Sequence, residues 1–246
     1  MSDIIVVMLG HKSLAGKDTV FGFAEQLGFK RVAFADKLKT TCMDLFNLSH
    51  DQVFGEGKDV MDERYPNTRD PKTLLEPAGT GGPHDHVIRK VTKNGEEFWE
   101  VENPDYKPFL TPRRILQLFG QDQRSLFPNI WASYIFTTAI PELVAQGERK
   151  IIVTDFRFPN EAVSAAQWAN QSSNNHLHLF KIHRPGVVAK TGSNDISETA
   201  LDDFQDWTGT ILNDGDLNTL KKRSVETLSG VIDSTYLRSS SSQTVS

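Results

Sequence analysis

The feature that most constrains this chain is the join between the apolar run Ile4-Ile5-Val6-Val7-Met8-Leu9 and the stretch Gly10-His11-Lys12-Ser13-Leu14-Ala15-Gly16-Lys17-Asp18-Thr19. Behind it, Val20, Phe21, Ala24 and Leu27 recur at helical spacing. A fully apolar run, a glycine-bearing turn and an amphipathic segment, in that order, predict a strand, a phosphate-binding loop and a helix. Glycines let the backbone bend so that successive N–H groups face a polyphosphate, the helix N-terminus adds positive field, and Lys17 supplies a point charge. An ordinary glycine-containing turn is the plainer alternative.

The usual spacing of such a loop is G-x-x-x-x-G-K-[ST]. Here five residues separate Gly10 from Gly16, and Asp18 stands at the hydroxyl position with Thr19 behind it. Either the loop carries one extra residue or His11 takes the place of the first glycine. Either Asp18, directly or through water, or Thr19 meets a metal ion such as Mg2+.

The 246 residues, 38% of them apolar, suffice for one sizeable core, so a single α/β domain with insertions is expected over residues 1–236. A net charge of -5 speaks against a broad basic face for a nucleic-acid polymer but leaves room for a local Arg/Lys cluster around phosphate. Cys42 is the single cysteine, which suits a reducing cytosol and excludes an internal disulfide. The N-terminus has no basic leader, and no run approaches the roughly 18 apolar residues of a membrane span. A soluble, cytoplasmic protein is expected.

Along the chain, Arg31 to Ala35 reads as a second strand, with Asp36 capping a helix through Leu38, Cys42, Leu45 and Phe46. Glycines and prolines then mark residues 48–109 as an insertion. Within it, Lys93-Asn94-Gly95-Glu96 joins Val87–Thr92 to Phe98–Val101 as a hairpin, and Gly79 to Gly82 reads as a loop. Thr111-Pro112 opens a helix with apolar positions at Ile115, Leu116 and Phe119. Arg113 and Gln117, four apart on one face, either grip a phosphate and a base or sugar edge or form a solvated face. A helix follows from about Ile130 to Gln146, in which Trp131 either stacks on a base or belongs to the core.

Lys150-Ile151-Ile152-Val153-Thr154-Asp155 is the second decisive stretch. An apolar strand ending in a carboxylate puts Asp155 at the carboxyl edge of a parallel sheet, a Walker-B-like position. Arg157 and Glu161 follow, as a structural pair or as site residues. Leu177 to Ile182 and Thr210 to Leu212 read as further strands, about 186–198 as a lid loop, Leu217 to Ile232 as a closing helix, and 237–246 as a disordered tail.

On these residues the chain resembles the deoxynucleoside monophosphate kinases of bacteriophages, a branch of the P-loop kinases. The likeness covers Ile4 to about Leu228, with 48–109 matching poorly. It is carried by Gly16-Lys17-Asp18-Thr19, Phe34 to Lys39, Thr111 to Gly120 with Trp131, Asp155 to Ala162, and Arg184-Pro185-Gly186 with Ser197-Glu198. The extra residue between Gly10 and Gly16 departs from the family spacing.

The resemblance implies transfer of the γ-phosphoryl group of ATP, with Mg2+, to a deoxynucleoside monophosphate (dNMP). It assigns Gly10, Lys12, Ser13, Gly16, Lys17, Asp18, Thr19 and Arg184 to ATP, with Lys190 also closing from the lid, and Asp18 and Thr19 to the metal. Arg113, Gln117, Gly120, Trp131, Asp155, Arg157 and Glu161 go to the acceptor, and Lys17, Asp18, Asp155 and Arg157 to catalysis. The partners implied are the two nucleotides, with room for a homodimer and none for a nucleic-acid polymer or membrane; the compartment would be the cytoplasm, the host's if the chain is phage-encoded. Another small-molecule kinase, of the phosphomevalonate type, and a nucleotide-binding module without catalysis are the alternatives.

Overall fold

In the computed structural model of this chain the described residues are 2–67, 87–93, 96–102, 109–187 and 196–242, with the side chains of 87–93, 96–102 and 238–242 excepted. Two compact units divide the chain. The first comprises Met1–Leu38, Gln123–Thr191 and Ser197–Ser246; the second comprises Lys39–Asp122 and Gly192–Ile196.

The first unit is built on a parallel sheet. Its strands are β1 (Ile4–Gly10), β2 (Lys30–Val32), β5 (Lys150–Phe156), β6 (Asn175–His183) and β7 (Gly209–Leu212), in the spatial order β2-β5-β1-β6-β7. The expected α/β class with a parallel sheet flanked by helices is what the chain adopts. Central β1 is fully apolar because both its faces are covered: Ile5, Val7 and Leu9 join Val20 and Ala24 of α1 (Lys17–Glu25) and Leu220, Leu228 and Val231 of α8 (Leu217–Ser242) in one cluster. Val6 and Met8, on the opposite side by strand alternation, are equally buried. At about 1.5–3 kcal/mol per buried large side chain, this strand is a main support of the unit.

Three sequence expectations change in detail. The second strand, expected to run through Ala35, ends at Val32, and α2 (Phe34–Phe46) starts where the strand was to continue. The reason is a distant cap. The Asp155 carboxylate at the end of β5 accepts from the N–H groups of Phe34 at 2.7 Å and Ala35 at 2.9 Å, satisfying donors that a local cap would otherwise take. Asp36 is therefore not the cap; it lies in the first turn and receives Arg31 at 2.8 Å.

The helix expected from Ile130 to Gln146 is α5 (Ile130–Tyr134), a π-helical turn over Ile135–Ala139, and α6 (Ile140–Ala145). The turn puts Ile135 and Phe136 into the core, with the Phe136 ring 6.1 Å from Trp168 of α7 (Pro159–Ala169) and 6.4 Å from Phe34. Finally, α8 runs on past Ile232 to Ser242, and the serines of its last turns do not oppose it; residues 243–246 lie outside the described residues.

In the second unit, α3 (His50–Phe54) begins with a capping box in which Ser49 Oγ accepts from Gln52 N and Gln52 Oε1 from Ser49 N. Asp62, buried, is held by Arg64 and by Gln52 Nε2 at 3.0 Å. The ring of Phe46 meets Tyr65 and Phe119 edge-on, at 5.8 and 6.0 Å. α4 (Pro112–Leu126) opens as its sequence predicts, with Arg114 N donating to Thr111 Oγ1 at 3.2 Å. β3 (Val87–Lys93) and β4 (Glu96–Glu102) pair antiparallel, from Val87 opposite Glu102 to Lys93 opposite Glu96, as the expected hairpin requires. Gly79 to Gly82 and positions 188–195 of the lid loop, Lys190 among them, lie outside the described residues.

Candidate phosphate-binding site

The loop leaves the carboxyl end of β1. Gly10 is the last residue of β1, while His11 carries φ 92° and Leu14 φ 59°. His11 and Leu14 thus both adopt backbone that favours glycine. A side chain in that region is held there only by its surroundings. Gly10 itself is needed for closeness, since a Cβ there would lie 2.6 Å from the rings of Phe156 and Trp207. Gly16, at φ 105°, needs both the conformation and the space: its Cβ would come within 2.7 Å of Asn213 Nδ2, which donates to Ala15 O at 2.9 Å.

Lys17 starts α1 and is almost entirely buried. Its ammonium donates to the loop carbonyls of His11 at 3.1 Å and Lys12 at 2.6 Å. Burial, and then the positive charge of Arg157, bring its pKa down to about 8. A cation so placed gains when a phosphate arrives. Asp18 and Thr19 occupy the first turn of α1 with exposed side chains, so a carboxylate and a hydroxyl are available to Mg2+ beside phosphates that would supply further ligands.

Arg157 lies just past β5 and reaches the loop. Its NH2 donates to Ser13 Oγ at 3.0 Å and its NH1 to Glu198 Oε1 at 2.5 Å and Ser197 O at 3.5 Å. Glu198 also accepts from Ser13 N at 2.9 Å and from the Ser13 hydroxyl. Desolvation works against ionisation of Glu198, but the Ser13 hydroxyl and amide and the Arg157 charge outweigh it and hold the carboxyl at about 2. Next to this cluster Lys12 Nζ pairs with Asp202 at 3.1 Å, and His11 lies 3.7 Å from the same carboxylate. Burial and the charges of Lys181 and Lys12 lower the His11 pKa to about 4, so it is neutral at pH 7.

Glu161 does not pair with the Arg157 side chain. It is buried, and one of its oxygens accepts the backbone N–H groups of Arg157 at 2.8 Å and Phe158 at 3.0 Å, fixing the turn from β5 into α7. Burial raises its pKa to about 8. Asp155 is occupied by the start of α2, and desolvation raises its carboxyl while the two amides pull it down. Trp131 is 7% exposed, as a core residue is, yet its indole N–H has no partner. Arg184 is exposed at the turn after β6.

Arg113, Gln117 and Gly120 belong to α4 in the second unit. Arg113 is engaged there by Asp59, Nε to Oδ1 at 2.6 Å and NH2 to Oδ2 at 2.9 Å, and Gln117 is exposed on the same helix while Gly120 is buried. The first unit therefore brings together Ser13, Lys12, Lys17 and Arg157 with two carboxylates that spacing alone did not single out, Glu198 and Asp202. Glu198 stood in the sequence only as part of a matching segment; Asn213, behind Gly16, read as a turn residue.

No protein-family model matches the chain. It is 25% identical over 189 residues to an Acanthamoeba polyphaga mimivirus protein described provisionally as a deoxynucleotide monophosphate kinase, covering 76% of this chain and 77% of that one. Among solved structures, a dephospho-CoA kinase from Campylobacter jejuni aligns with a TM-score of 0.43 at 12% identity, over 92% of this chain and 96% of that one. Among the described residues no helix is long and apolar enough to cross a membrane.

Proposed function

We propose that this protein is a nucleotide kinase that moves the γ-phosphoryl group of ATP to the phosphate of a deoxynucleoside monophosphate. The observation that carries the reading is the convergence of Lys17 and Arg157 on one glycine-bearing loop at the carboxyl edge of a parallel sheet. The mimivirus relative supports the acceptor class.

In the reaction, an oxygen of the acceptor phosphate forms a bond to the γ-phosphorus while the bond to the ADP oxygen breaks, yielding ADP and a diphosphate. Such a transfer asks the protein mainly for positioning and for charge opposite the moving group. Lys17 exchanges its loop carbonyls for phosphate oxygens, the loop amides and Gly16 receive the donor, and Arg157 presents two N–H groups to the equatorial oxygens. Asp18 and Thr19 would hold Mg2+, which would supply positive charge against the phosphate oxygens. Arg113, Gln117, Gly120, Trp131, Asp155 and Glu161 are the acceptor-side residues of the proposal, Asp155 and Glu161 acting through the turns they fix. Arg184 is proposed on the ATP side.

The test is a coupled ADP-release assay with ATP, Mg2+ and each common deoxynucleoside and ribonucleoside monophosphate, beside mevalonate 5-phosphate. Stimulation by one or more deoxynucleoside monophosphates supports the reading. Stimulation by the mevalonate ester alone, or ATP binding without turnover on any acceptor, overturns it.

A further inference from the structure

Three donors from two distant segments meet on one carboxylate. The Ser13 N–H, the Ser13 hydroxyl and the Arg157 guanidinium all end on Glu198, which lies 185 residues beyond Ser13 in sequence. The triangle is closed, because Arg157 also donates to Ser13 Oγ at 3.0 Å. It is well shielded, with the side chains of Arg157 and Glu198 21% and 10% exposed. Four residues on, Asp202 takes Lys12, so two neighbouring loop residues are fastened to two carboxylates of one segment.

The electrostatics give the arrangement a purpose. Arg157 and Lys17 repel each other, and a guanidinium on a long flexible stem, left without a partner, would turn away from the loop and lose side-chain order. A charge-assisted hydrogen bond to one end of the fork and a hydroxyl at the other fix its plane. Phosphoryl transfer rewards groups ordered before the substrate arrives. We propose that Glu198 is a positioning residue, which holds the Arg157 guanidinium and the Ser13 corner of the loop in the orientation that receives the phosphoryl group. This rests on the phosphotransfer reading above. The opposite role is a carboxylate that plugs a phosphate position and must be evicted; it reverses the expected sign.

The experiment compares wild type with Glu198→Gln, Glu198→Asp, Arg157→Lys and the Glu198→Gln/Arg157→Lys double variant. Steady-state kinetics are measured with each substrate varied, thermal melts are recorded, and the guanidinium N–H signals of Arg157 are followed by NMR in the free protein. Glu198→Gln should lower kcat about tenfold or more with KM for ATP within about twofold, and release the Arg157 guanidinium into fast rotation. Added to Arg157→Lys, it should cost less than about twofold more, because both changes remove one interaction. Glu198→Asp keeps the charge but shortens the reach, and should show the same kcat loss with a melt near wild type, so the inference survives a Gln variant that fails to fold. Unchanged kcat, independent losses in the double variant, or tighter ATP binding with kcat kept would overturn it. If wild type phosphorylates no acceptor, the phosphotransfer reading fails by itself. The NMR signals then decide whether Glu198 restrains Arg157, and a guanidinium equally ordered in Glu198→Gln and Glu198→Asp overturns the inference.

Discussion

Two arginines in this molecule make the same kind of contact in different surroundings. Arg157 pairs with Glu198 where both side chains are largely shielded and share a third partner, Ser13. Arg113, in the second unit, grips both oxygens of Asp59 through Nε and NH2, but the two side chains are 49% and 63% exposed. An exposed pair competes with water at every moment and contributes little, whereas a shielded, cross-bonded one fixes geometry. The difference separates a prepared cation from one that a ligand can recruit at small cost.

The largest expected effect lies at the centre of the first region. Lys17→Ala should lower kcat by more than about a hundredfold, as removal of a preorganised charge does, with the fold kept. Kinetics and a melt check it; wild-type turnover would end the reading of the loop.

Next comes the comparison itself. Arg157→Lys should reduce turnover about ten- to a hundredfold with little change in KM for ATP, whereas Arg113→Lys should chiefly raise the acceptor KM, by about threefold or less. Equal losses in the two variants would erase the contrast between the surroundings. A smaller effect concerns pH. Lys17 has a folded-state pKa of about 8, and the charged form binds phosphate, so ATP affinity should be full below pH 7 and fall as pH rises through about 8. The slope is at most about tenfold per pH unit. Titration calorimetry from pH 6.5 to 9.5 checks it, and a flat profile shows the ammonium stays charged throughout. The smallest effect is Asp59→Asn, expected to change stability by less than about 1 kcal/mol in denaturant unfolding. A larger loss would mean that the exposed pair is structural.

What was legible in the sequence follows from distance along the chain. The β1, loop and α1 order was readable because all its parts are contiguous, and so was the opening of α4, where Thr111 and Pro112 sit beside the turn they start. The pairing of β3 with β4 was readable from the Asn-Gly pair in the sequence between two strand-like runs. Asp155 was rightly placed at the end of a strand, yet its engagement with Phe34 and Ala35 was not legible, because no local pattern announces a cap from another strand. For the same reason the boundary between β2 and α2 was misplaced. Glu198 and Asp202 escaped because their partners lie at Ser13 and Lys12. The π-turn at Ile135–Ala139 leaves no spacing signal, since Ile135, Phe136, Ala139 and Ile140 keep the spacing of an ordinary helix.

The link from Asp155 to α2 also orders events in time. The amides it caps belong to residues 121 and 120 positions earlier, so the start of α2 is completed only after β5 has been made and has joined the sheet. On the ribosome the leading segment of this chain emerges with that helix end still open. Closing it counts among the long-range steps that slow folding in parallel sheets.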